Sequence, residues 1–222
     1  MTPPKVKICC IQDSAEARMA IQAGAWALGL VAEMPSGVGP IPDEQIAYIL
    51  ENVGDPVETF LLTSRVESGA IIEHHRICPA STLQLVDHVP FDDLQRLRTA
   101  LPGVKLVQVI HVLGEASVEE AVRVAPLVDM ILLDSGKPNA ELRTLGGTGD
   151  THDWDLSRRI RREIGIPMLL AGGLEPDNVA EAIHTVQPFG VDLCSRIRDA
   201  DGRLVPDKLE AFMDAVGGTV AA

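Results

Sequence analysis

The residues best placed for chemistry lie between Asp129 and Trp154. An apolar run, Val128 and Met130 to Leu133, reads as a buried strand, and Asp134 stands where it ends. A carboxylate in that position is costly unless it has a task or a partner. The loop that follows carries Gly146-Gly147-Thr148-Gly149. Small residues there let the backbone N–H groups of Gly147, Thr148 and Gly149 approach a ligand closely. Asp153 then stands as the N-cap of a helix opened by Trp154. Two further short loops are AGGLEPDN from Ala171 to Asn178, with bare backbone N–H groups, and CSRIRD from Cys194 to Asp199, with two arginines. Gly172 and Gly173 are expected to offer N–H groups to an anion at a helix start. Ser195 and Arg196 are expected to face the same anion, while Arg198 reads as a solvated loop charge.

Strand and helix signals alternate along the chain, and they must position these residues. Strands are expected over 6–11, 25–32, 57–63, 82–89, 105–112, 128–134, 167–171 and 190–195. Helices are expected over 14–24, 43–53, 67–77, 91–101, 117–127, 154–164, 175–186 and 206–216. Ser14 is a plausible cap for the first helix. Ser117 with Glu120 forms the Ser-x-x-Glu pattern of a capping box. Apolar strands separated by helices of 10–15 residues indicate a parallel sheet covered by helices. Eight such units close naturally into an α/β fold of the (βα)8 TIM-barrel type. The alternative, an open doubly wound sheet, more often begins with a GxGxxG turn, and the first strand is not followed by one. The whole chain, 1–222, is expected to be one barrel domain closing over residues 5–217.

In barrels of this kind the chemistry lies on loops at the C-terminal ends of the strands. That rule selects Cys9, Cys10, Glu33, His111, Asp134, Gly172, Gly173 and Ser195. The loops after strands seven and eight are the usual phosphate site. Lys7, two residues before Cys9, shares its face of the first strand and is expected to point into the barrel with it.

Composition narrows the partners. Of 222 residues, 46% are hydrophobic and only 3% aromatic, so aliphatic packing must carry the core. A formal net charge of −13 argues against a general nucleic-acid or acidic-membrane surface. An anionic small molecule then needs local backbone donors or placed arginines. The four cysteines match neither a zinc site nor a CxxC pair, so no metal is expected and reduced thiols in a cytoplasm fit best. No apolar run is long enough to span a membrane, and the N-terminus lacks the apolar core of a signal peptide.

Five motifs occur in a fixed order: KIC at Lys7 to Cys9, LLD at Leu132 to Asp134, GGTG…DW at Gly146 to Trp154, LAGGL at Leu170 to Leu174 and GVD at Gly190 to Asp192. Together the set resembles the phosphoribosylanthranilate isomerases of tryptophan biosynthesis. The resemblance implies a cofactor-free Amadori rearrangement, in which an N-phosphoribosyl anthranilate opens its ribose ring and becomes a 1-deoxyribulose phosphate. It implies a phosphorylated small-molecule partner; the expected assembly is a monomer or homodimer, in the cytoplasm that the thiols suggest. Asp134 is the matched general acid for the ring oxygen and Cys9 the matched base for the sugar C2 proton. Lys7, His111, Asp192 and the glycine loops form the surrounding binding set. A thiolate serves as a base near neutral pH where positive charge lowers its pKa, and Lys7 is the expected source.

The chain departs from the family pattern at several places. Cys10 stands where the family has glycine after the catalytic cysteine. The family's loop-two arginine falls near Gly39, in a stretch without a cation. The histidine of the family's QLHG segment is replaced by Val86-Asp87, and His111 stands where strand five usually ends in arginine. Asp150 replaces a lysine after GGTG. Ser195-Arg196 replaces a Ser-Gly pair, and Arg198 replaces an acidic residue. Two readings follow: an isomerase with a rearranged pocket, or a paralogue that binds a different phosphorylated small molecule.

Overall fold

The computed structural model describes residues 3–35, 39–54, 56–135 and 153–219. Eight strands alternate with eight helices: β1 (Lys5–Ile8), α1 (Ser14–Gln22), β2 (Ala27–Val31), α2 (Asp43–Asn52), β3 (Glu58–Thr63), α3 (Ser68–Ile77), β4 (Thr82–Leu85), α4 (Phe91–Ala100), β5 (Lys105–His111), α5 (Glu115–Val124), β6 (Met130–Asp134), α6 (Trp154–Glu163), β7 (Met168–Leu170), α7 (Val179–Val186), β8 (Gly190–Leu193) and α8 (Pro206–Gly218). Every neighbouring pair is parallel and the sheet closes in sequence order, with β1 also paired to β8. The (βα)8 expectation holds, and closure excludes the open doubly wound sheet.

Period-two alternation divides the buried residues into two layers. Ile8, Leu28, Leu30, Leu61, Leu83, Ile110, Ile131 and Leu170 face outward and pack under the helices. Ala27, Val31, Phe60, Leu62, Val107, Val109, Leu132 and Leu169 fill the inside, and Cys9 and Cys10 join that inner layer. Leu, Ile and Val supply most of both layers, as the low aromatic content requires. Trp26 meets Phe60 and Phe189 edge to face, with centroids 5.8 Å and 5.5 Å apart.

Local caps differ from the expected ones where a nearby residue makes a better acceptor. Asp13, not Ser14, caps α1; its carboxylate accepts from the N–H groups of Ala15 and Glu16. Asp153 caps α6 as expected, accepting from Asp155 and Leu156. Ser117 is no capping-box residue, because α5 starts at Glu115 after Gly114. Its hydroxyl accepts from Leu113 N at 3.0 Å and donates to His111 O at 2.9 Å, which fastens the end of β5. The seventh helix begins at Val179, later than the 175 expected, because Asn178 folds Glu175 to Asn178 into a turn. Asn178 Oδ1 accepts from Glu175 N and its amide donates to Gly173 O, each at 2.9 Å.

Candidate active site

Lys7 is the centre of the barrel mouth. It is fully buried, and Nζ lies 2.8 Å from Oδ1 of Asp192 on β8. The two are adjacent because β1 pairs β8 with Lys7 opposite Asp192. The ring of Phe60 lies beneath the ammonium, 5.2 Å from Nζ to centroid. Burial alone would lower the Lys7 pKa, but the Asp192 carboxylate and the Cys9 sulfur together outweigh it and hold the pKa above its ordinary value.

Cys9 follows β1 on the same inward face. β2 makes room for it through Gly29, where a Cβ would stand 2.7 Å from the Cys9 sulfur and 3.0 Å from Lys7 Nζ. Lys7 does pull the thiol pKa down, as expected, but not below its ordinary value. Burial pushes the Cys9 thiol up to about 11, and the pull of Lys7 only partly offsets it. Lys7 spends much of its charge on Asp192, which itself opposes a thiolate.

Asp134 ends β6, with His111 opposite it in register at the end of β5. Burial raises the Asp134 pKa above the usual carboxylate range. The Ser135 N–H, 2.7 Å from Oδ1, and the charges of His111 and Lys7 pull the other way, while Asp192 adds to the rise. Cys9 and Asp134 therefore both lie in the field of the Lys7–Asp192 pair. His111 Nε2 lies 3.3 Å from Val86 O, and its Nδ1 is buried without a hydrogen-bond partner among the described residues. His111 also borders a cavity of about 580 Å³ with Asp87, His88, Glu115 and Glu120.

Gly172 and Gly173 both adopt left-handed backbone, φ 85° and 63°, at the end of β7. Ser195 and Arg196 form a short 3-10 turn after β8. Arg196 Nε reaches to 3.7 Å from Glu175 Oε2, so the two loops approach each other through these side chains. The expected binding residues Gly147, Thr148 and Gly149 lie outside the described residues.

Two results were not legible in the sequence. Cys10 and Cys194 form a disulfide across 184 residues, which corrects the expectation of four reduced thiols; Cys9 and Cys78 are free. No spacing rule links cysteines that far apart, since barrel closure alone brings the ends of β1 and β8 together. Arg198, expected as a solvated loop charge, is buried. It pairs with Glu16 at 3.0 Å and donates to the carbonyls of Cys9 at 2.9 Å and Gly202 at 2.8 Å. A buried carboxylate on α1 was the missing signal, because Glu16 occupies an otherwise ordinary helical position.

The departures from the family pattern become partly intelligible. Cys10 keeps the left-handed backbone that glycine favours, φ 64°. At Gly39 a Cβ would lie 2.5 Å from the Cβ of Cys10. Cys10 thus fills the room that a side chain at position 39 would need. Away from the mouth, ligand atoms of Asp43, His74 and Cys78 lie within 4.8 Å of one another. The Arg65 guanidinium is 2.5 Å from His74 Nδ1, and burial, with that cation beside it, lowers the His74 pKa.

A family model described as N-(5'phosphoribosyl)anthranilate (PRA) isomerase matches residues 88–215. The chain belongs to the phosphoribosylanthranilate isomerase family. It is 32% identical to the N-(5'-phosphoribosyl)anthranilate isomerase of Methanocella arvoryzae, over 93% of this chain and 96% of that one. The Haloferax volcanii protein of the same name is 34% identical, over 95% and 92%. The phosphoribosylanthranilate isomerase of Thermotoga maritima superposes with a TM-score of 0.83 at 26% identity, covering 97% of this chain and 99% of that one. A phosphoribosylanthranilate isomerase solved with reduced 1-(o-carboxyphenylamino)-1-deoxyribulose 5-phosphate gives 0.80 at 25% identity, over 97% and 99%. Among the described residues, no helix is long and apolar enough to cross a membrane.

Proposed function

We propose that this family member, as a single barrel domain, isomerises N-(5'-phosphoribosyl)anthranilate in tryptophan biosynthesis, without a cofactor, and that Asp134 and Cys9 carry the proton transfers. Asp134 gives its proton to the ring oxygen as the C1–O bond breaks, and the anthranilate nitrogen forms a C=N bond to C1. Cys9 as thiolate then takes the C2 proton. The electrons left at C2 form a C1=C2 double bond as the C=N electrons return to nitrogen, and the resulting enolamine becomes the 2-ketone when C1 is protonated and the C2 hydroxyl gives up its proton. The acid must be protonated and the base ionised at once. Burial favours the neutral carboxyl of Asp134 but opposes the thiolate of Cys9. The thiolate, when it forms, is correspondingly strong.

The observation that carries this reading is the placement of an acid at the end of β6 and a thiol after β1, both facing the interior around one Lys7–Asp192 pair. Sequence similarity to isomerases over most of the chain supports it over the paralogue reading. The phosphate is assigned to the loops of Gly172-Gly173 and Ser195-Arg196, with Lys7, His111, Asp192 and residues 147–149 completing the binding set around a substrate of this class. The protein acts as a monomer or homodimer in the cytoplasm. The decisive experiment is a direct isomerase assay with purified protein, backed by rescue of a tryptophan-requiring strain. Cys9→Ser should lower turnover by roughly 10²–10⁴-fold, the usual contribution of a positioned acid or base. Arg196→Ala should raise KM more than it lowers kcat. Wild-type protein that binds a ribose phosphate without isomerising the anthranilate would overturn the reading.

A further inference from the structure

Arg198 touches the backbone of the base itself. One branch of its guanidinium, Nη1, holds Glu16 Oε2 at 3.0 Å and Gly202 O at 2.8 Å; the other, Nη2, donates to Cys9 O at 2.9 Å. Glu16 is fixed in turn, accepting from Gln12 N at 3.1 Å and Leu204 N at 3.0 Å. Lys208 Nζ donates to Arg198 O at 2.8 Å. The guanidinium is therefore locked from both sides, with its fork divided between a carboxylate and a peptide carbonyl.

That carbonyl belongs to the peptide joining Cys9 to Cys10. The N–H of the same peptide, that of Cys10, points away from this carbonyl, and its dipole is among the influences that favour a thiolate at Cys9. The peptide is flanked by fixed points: Cys9 N donates to Leu193 O at 2.8 Å and Ile11 N to Gly29 O at 3.0 Å. Between them, Cys10 has φ 64°, a conformation that side chains with a Cβ seldom adopt. Rotation of the Cys9–Cys10 peptide would relieve that conformation. It would also reverse the dipole of the peptide that follows the sulfur-bearing residue.

We propose that Arg198 is a positioning residue for the Cys9 base: it holds the Cys9 carbonyl, and so fixes the orientation of the Cys9–Cys10 peptide beside the sulfur. A glycine at position 10 accepts φ 64° freely and needs no such restraint. In this chain cysteine stands there, and Arg198 supplies the restraint. The assignment rests on Cys9 being the base of the proposed isomerisation. Among the described residues, the charged groups that act on the sulfur are Lys7 of β1 and Asp192 of β8, and Gly29 of β2 lies against it. None of these changes when Arg198 is altered.

The test is the pH dependence of Cys9 alkylation by iodoacetamide, read by peptide mass mapping without reductant, so that Cys10 and Cys194 stay paired and Cys78 is counted separately. Arg198→Lys is the informative variant. Its ammonium keeps a positive charge for Glu16 but lacks the second arm of the fork. The alkylation midpoint is expected to move upward, because a peptide free to rotate no longer holds its N–H dipole where it favours the thiolate. The rate at pH 8 should fall several-fold, with kcat lowered and KM little changed. If Arg198 serves only the ion pair, lysine restores it and the midpoint stays put, which overturns the proposal. Should Arg198→Lys not fold, Glu16→Gln with Arg198→Met removes both charges together, and the same midpoint decides. In a Cys10→Gly background, with Cys194→Ser as the control for the lost disulfide, the Arg198→Lys shift should shrink. The midpoint does not depend on turnover. Absent isomerase activity with a shifted midpoint would sink the proposed function and leave the role of Arg198 standing.

Discussion

Gly29 of β2 and Cys9 after β1 share a single space, since a Cβ on Gly29 would come within 2.7 Å of the Cys9 sulfur. The glycine is needed for closeness, not for backbone freedom, because its φ is unremarkable for a strand. Gly29→Ala is expected to cost about 1–3 kcal/mol, as overpacking of a filled interior does. The sulfur has nowhere to go except away from β2, so turnover should fall beyond what the lost folded fraction explains. Thermal melting alongside kcat on fully folded protein separates the two effects. Unchanged kcat would show that the sulfur tolerates displacement.

Lys7 and Asp192 form a buried pair whose halves depend on each other. Lys7→Met should destabilise by about 3–5 kcal/mol, because it leaves Asp192 charged and buried without its partner. Lys7→Met with Asp192→Leu should recover most of that loss in denaturant melts while turnover stays absent. The pH dependence has a definite sign. The folded pKa of Lys7 is raised above its ordinary 10.5, so its contribution is complete below that value and is lost as pH rises through the folded value. Alkaline destabilisation should be weaker in the double variant than in wild type.

Asp134 carries a cost for its function. Its folded pKa lies above the ordinary 3.8, mainly through burial, so ionising it disfavours the fold. The favourable contribution is present below 3.8 and is lost as pH rises through the folded value. At neutral pH, Asp134→Asn removes that cost and keeps an acceptor for Ser135 N. The variant is expected to melt at a higher temperature than wild type at pH 7, with the advantage shrinking in acid. Its turnover should drop by roughly 10²–10⁴-fold, because an amide cannot protonate the ring oxygen. A variant both less stable and equally active would contradict each half of this account.

The Cys10–Cys194 disulfide joins the end of β1 to the residue after β8. Reduction by a dithiol, or Cys194→Ser, should lower stability by about 2–4 kcal/mol, the usual effect of a cross-link closing a long loop. The two treatments should agree, and reductant should change nothing further in Cys194→Ser. Melting with and without reductant checks this.

The sequence by itself determined the barrel and most of its mouth. Alternating apolar strands and helices at regular spacing admit few architectures, and the strand ends then name Cys9, His111, Asp134 and the glycine loops. Those are properties of local pattern, set by periodicity and by where a strand stops. Only the tertiary structure decided how these residues influence one another. Lys7 was expected to activate Cys9, yet pairing of β1 with β8 puts Asp192 beside it and divides its charge. Arg198 was expected in solvent, yet Glu16 lies 182 residues earlier in the chain and meets it in the interior. Cys10 and Cys194 gave no spacing signal, because a disulfide needs proximity that closure of the sheet creates. Pairings of this length are set by which strands become neighbours, and electrostatic balance depends on burial; neither is written in any local stretch of sequence.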